Sequence, residues 1–215
     1  QTNLVNFHTQ WLGIGRINAL SKNATVYPSF TTSTAVYMGM ETRAFLQNVV
    51  FNQSGTFGDL FTANYSFVNA AMATFYGVKA PATDWGRVDL NPAQRQGLLT
   101  QPALLATMAK DDNTDPVRRG KFVLNQILCR SIASPSAAIV AMFPPMDLSK
   151  TARDRFTAHR ASTVWASCHN LLDPLGLPFE HYDGFGQWRA HARGMTLRVT
   201  GAVDGVPSGR NPPRD

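Results

Sequence analysis

The chain has 215 residues, of which 44% are hydrophobic and only 16% charged, and its formal net charge is +6. That balance excludes a disordered chain and allows one good-sized core or two small ones. The basic residues are scattered, with Arg118, Arg119 and Lys121 the single tight group, so a nucleic-acid-binding stripe is excluded; no apolar run approaches the roughly 20 residues of a membrane span. The low share of charge suits an exported protein, and a periplasmic or extracellular location is expected.

A first helix is expected after Asn3, with Leu4, Val5, Phe7, Trp11 and Leu12 on one buried face and Gly13 and Gly15 ending it. A longer helix over about residues 34–51 would turn Val36, Met40, Phe45 and Val49 inward. Ser66 is expected to cap a helix that reaches Tyr76 and closes at Gly77. Residues 78–90 read as irregular. Asn91-Pro92 and Asp115-Pro116 each pair a capping side chain with proline at the first helical position. The second pair opens a helix carrying Val117, Phe122, Val123, Ile127 and Leu128. Residues 131–145 have the composition of a linker. A helix over about 149–160 leads into another over 163–172, where Trp165, Cys168 and Leu172 share a face. The alternation from Met195 to Val199 is the one convincing strand. The fold class expected is therefore mainly α: two small helical units, about 1–78 and 79–215, with long ordered loops and a short C-terminal strand pair.

The chemistry concentrates between Trp165 and Arg189, in WASCHNLLDPLGLPFEHYDGFGQWR. Cys168-His169 is the second half of a C-x-x-C-H haem-attachment signature, with Trp165 where the first cysteine would stand. On that reading Cys168 forms a single thioether, His169 ligates the iron, and Trp165 lies at the haem edge. The other reading pairs Cys168 with Cys129, the only other cysteine, in a haem-free protein. Such a bridge would close a loop of about 40 residues and add about 4 kcal/mol. Both readings stay open. His159, His169, His181 and His191, with Asp173, Glu180 and Asp183 among them, lack the tight pair spacing of a metal site. The run Asp111-Asp112-Asn113-Thr114-Asp115 lacks the glycine and closing glutamate of a calcium loop. No hydrolase or phosphate-binding motif occurs, so no specific enzyme activity is indicated beyond haem redox chemistry.

The segment His159-Arg160, Ala166-Ser167-Cys168-His169, Asp173-Pro174, Gly176, Glu180, Tyr182-Asp183, Gly186 and Trp188-Arg189 also carries a resemblance. It extends upstream to Leu60 through Asn69, Phe75-Tyr76-Gly77, Gly97 through Gln101, and Pro116 through Lys121. On these residues the chain resembles large bacterial multidomain proteins of planctomycetes and myxobacteria that contain cytochrome-c-like domains and domains of unknown function. The resemblance implies an exported, c-type-haem-related electron-transfer module within a larger chain or assembly, partnered by a redox protein or by other subunits. It makes His159 the sixth iron ligand beside His169, with Met146 and Met195 behind it. The alternative is a haem-free structural or binding subunit, stapled by Cys129–Cys168 and docking on partner chains. Both chain ends read as internal to a longer precursor.

Overall fold

The structure, a computed structural model, describes residues 2–51, 55–133, 147, 149–160 and 163–199, without the side chains of 158–160 and 163–164. The chain is mainly α, with two small antiparallel strand pairs. It divides into two compact units: Gln1–Thr114 with Tyr182–Trp188, and Asp115–His181 with the residues from Arg189 onward. The division falls after Thr114.

In the first unit, helix α1 (Thr2–Trp11) buries Val5 and Thr9, and Leu12 just beyond it, one step round from the expected face. Leu4 and Phe7 therefore point outward. A left-handed Gly13 ends the helix, as expected. Helix α2 (Thr32–Phe51) starts where Thr31 Oγ1 accepts from the Thr34 amide at 3.1 Å. Its buried stripe is Ala35, Met38, Glu41, Thr42, Phe45, Leu46 and Val49, a helical spacing with one carboxylate inside it. Met40, expected inward, is exposed.

The short helix α3 (Asp59–Thr62) is followed by a strand where a helix was expected. This strand, β1 (Tyr65–Val68), pairs antiparallel with β2 (Gly86–Asp89) in the register Tyr65↔Asp89, and its Ser66 and Val68 are buried. The strand-forming Tyr65, Phe67 and Val68 prevail over the expected cap at Ser66. The cap is Asn69 instead, whose Oδ1 accepts from the Met72 amide to open α4 (Ala70–Tyr76). Gly77, at φ 68°, closes that helix as expected. Helix α5 (Pro102–Thr107) is buried on every side. The returning segment is pinned by Asp183, whose Oδ1 accepts from the amides of Phe185 and Gln187. Phe185 then meets the rings of Tyr27, Phe30 and Phe75 edge-on at 5.3–5.9 Å.

In the second unit, Asp115 Oδ1 accepts from the Arg118 amide and opens α6 (Pro116–Phe122), as the Asp-Pro pair predicts. The helix widens into a π turn (Val123–Ile127) and ends at Cys129, which has φ 51°. Helix α7 (Ala152–Arg160) precedes α8 (Thr163–Gly176), a one-turn 3-10 segment (Leu177–His181), and a hairpin of β3 (His191–Ala192) and β4 (Met195–Thr196). The hairpin turns on Arg193 and Gly194, both at positive φ, the type I′ geometry. Helices α6 and α8 run antiparallel, with Gly120 against Leu172 and Gly176 against Pro116. Leu124, Leu172 and Leu175 form the core between them. The expected linker lies outside the described residues beyond residue 133.

Candidate functional site

The Cys-His pair sits mid-way along α8, and the helix decides what each side chain meets. Positions 165, 169, 172 and 173 recur at three-to-four spacing and face inward: Trp165, His169, Leu172 and Asp173 are all buried. Cys168, on the flank of that stripe, is half-buried.

His169 is 3% exposed and Asp173 is 0% exposed. The ring donates from Nδ1 to Asp173 Oδ1 at 2.8 Å, one helical turn on. Phe156 of α7 covers the imidazole at a centroid distance of 5.2 Å and an interplanar angle of 30°. Trp165 meets it edge-on at 6.1 Å. The indole in the place of the first signature cysteine thus packs against the histidine itself. Phe156 was missed by sequence reasoning because it lies outside the motif; its one signal is being the aromatic of an otherwise polar helix.

These contacts test the fit of a haem. A carboxylate on Nδ1 is the arrangement that fixes a metal-bound histidine and leaves Nε2 as its ligating nitrogen. An iron porphyrin also needs an open face at that nitrogen, wide enough for a macrocycle, and the imidazole here is buried in side chains of its own unit. The side chain of His159 and all of Met146 lie outside the described residues, so no second ligand is placed; Met195 is half-buried in β4. Among the described residues, no group of three or more His, Cys, Asp or Glu is arranged to hold a metal ion.

The Cys129–Cys168 bridge of the alternative reading is not formed, and both thiols are free. The helix register explains this. Gly176 opposes Pro116 and Gly120 opposes Leu172, so the position opposite Cys168 is residue 124, more than a turn short of Cys129. Cys129 is also turned outward by its left-handed backbone and is exposed. A thiol reagent is expected to titrate two groups in the native chain, Cys129 first and Cys168 more slowly. A native protein with no reactive thiol until reduction would contradict this geometry.

A buried charge cluster lies at the other end of α8. Arg119, 1% exposed on α6, is 3.9 Å from Glu180 Oε1 and donates from Nη1 to the Phe179 carbonyl at 2.8 Å. Arg189 Nη2 is 3.8 Å from the other carboxylate oxygen, and Arg189 Nε donates to the Glu180 carbonyl. His181 Nδ1 lies 2.9 Å from the Arg189 carbonyl. Burial lowers the affinity of the nearby Arg155 for its proton, with Glu180 acting the other way.

Two stretches match family models. Residues 1–78 match one described as PSD4: Protein of unknown function (DUF1592). Residues 95–192 match one described as PSCyt3: Protein of unknown function (DUF1588). The chain carries the two matches in series. Both are domains of unknown function in planctomycete-type cytochrome-c-like multidomain proteins, so the resemblance read from the sequence holds at that level. The DUF1592 match lies within the first compact unit, and the DUF1588 match takes in Arg95 to Thr114 of that unit as well as most of the second. No curated protein and no solved structure matches the chain. Among the described residues, no helix is long and apolar enough to cross a membrane.

Proposed function

We propose that this chain is a haem-free helical scaffold module, exported and built into a larger protein or assembly, whose role is to present its surface to partner subunits. One observation carries the reading: the motif residues of the second unit are spent on one another. His169 bonds Asp173, Arg119 faces Glu180, Glu180 faces Arg189, and Gly120 and Gly176 admit the opposing helix backbone. Residues that a cofactor site would aim at a ligand are here aimed at the core. The free thiols remove the staple from this reading and leave its packing intact.

The electron-transfer module is the competing reading. It draws support from the Asp173 carboxylate on Nδ1 of His169, and from Cys168 beside it. The two are separated by intact mass and absorbance of the chain produced in a host that attaches c-type haem. The scaffold reading expects the polypeptide mass alone and no Soret band. A mass surplus of one haem, with a pyridine haemochrome spectrum of thioether attachment, would establish the other reading.

A further inference from the structure

The first unit holds an acid that none of this uses. Glu41 lies on the buried stripe of α2 between Met38 and Phe45, and is 0% exposed. Its Oε1 accepts from Ser66 Oγ of β1 at 2.6 Å and from Tyr76 Oη at the end of α4 at 2.5 Å. Its Oε2 is buried with no hydrogen-bond partner among the described residues. Arg95, 5% exposed, is the nearby cation, but its donors are already committed: Nη1 to the Thr100 carbonyl and Nη2 to the Gly186 carbonyl, both at 2.7 Å. The guanidinium also lies over the rings of Tyr76 and Tyr182, at 4.9 and 4.8 Å.

We propose that Glu41 is a proton-binding site wired into the fold of the first unit, so that losing its proton loosens the junction of α2, β1 and α4. Two short hydroxyl bonds satisfy one oxygen in either protonation state, whereas a charge shared with Oε2 would sit in an apolar stripe without a donor. Arg95 offsets part of that charge from a distance. The other ionisable groups on elements packed against α2 are engaged elsewhere: His8 on Leu4, Arg16 on Thr107, Asp59 on Thr56 and Tyr65 on Asn48.

Burial raises the Glu41 carboxyl from its ordinary 4.5 to about 7, against the lowering effect of Ser66, Tyr76 and Arg95. A carboxyl raised in the folded state contributes stability that is fully present below the unfolded value and is lost as pH rises. The window here is about pH 4.5 to 7.

The chain has two glutamates, Glu41 and Glu180, which makes the site directly observable. With carbon-13 in the glutamate side chains, one carboxyl signal is expected to titrate near pH 7 and to persist in Glu180→Gln. Both signals titrating below pH 5.5 would overturn the proposal, without the need for a Glu41 variant. In urea unfolding followed by tryptophan fluorescence, the wild-type folding equilibrium is expected to weaken between pH 5 and 7.5 by roughly a hundredfold more than that of Glu41→Gln. Equal pH dependence in the two proteins would likewise overturn it.

Discussion

Replacing Gly120 by alanine is expected to cost the second unit about 3 kcal/mol or more, and Gly176→Ala at least as much. A Cβ on Gly120 would collide with the Leu172 carbonyl oxygen, and one on Gly176 with the Pro116 carbonyl oxygen. Both obstacles are backbone, so no side chain can rotate away. The helices α6 and α8 would have to separate. Separation opens the shared core of Leu124, Leu172 and Leu175, and each partly exposed leucine forfeits a further 1–2 kcal/mol, about 25 cal/mol for every Å² returned to water. Denaturant unfolding of the whole chain, followed by near-ultraviolet circular dichroism, measures the loss. Two variants within about 0.5 kcal/mol of wild type would mean that the helices do not approach this closely.

Removing the carboxylate at Glu180 is the second large effect. Glu180→Ala removes the carboxylate that the buried, charged Arg119 faces, a change worth about 3–5 kcal/mol. The pair itself is a weak net stabiliser, because taking both charges out of water offsets most of their attraction. A double variant, Arg119→Met with Glu180→Leu, is therefore expected to recover most of what the single change loses. A double-mutant cycle on unfolding free energy reads the coupling directly. If the double variant is as unstable as the sum of the two single changes, the charges are not paired in the folded protein.

Much of the helical framework was legible because it is written in local chemistry. Asp115-Pro116, Gly13 and Gly77 act where they stand, and the structure has them capping or ending helices as read. The strand pair at Tyr65–Val68 and Gly86–Asp89 was not legible: Ser66 is a good cap by type, and only its pairing with a partner some 20 residues away makes it a strand residue. Glu41 was open to discovery from spacing alone, since it stands at a core position of α2 between Met38 and Phe45. The candidate site was legible in location and less so in meaning. Sequence placed Trp165, Cys168 and Leu172 on one helical face, and two of the three are buried there. What spacing does not report is that His169 turns toward Asp173 under the ring of Phe156, or that two glycines 56 positions apart set the depth of the helix crossing.

The return of Tyr182–Trp188 to the first unit bears on how the protein is made. A ribosome emits residues 1–114 first, yet the ring of Phe185 and the Gly186 carbonyl that anchors Arg95 arrive some 70 residues later. At about 5–20 residues per second the early helices wait several seconds for their closing piece. The unit made first is thus closed only after most of the second has been made, and a nascent chain halted at Thr114 would hold an unclosed core for a chaperone to cover.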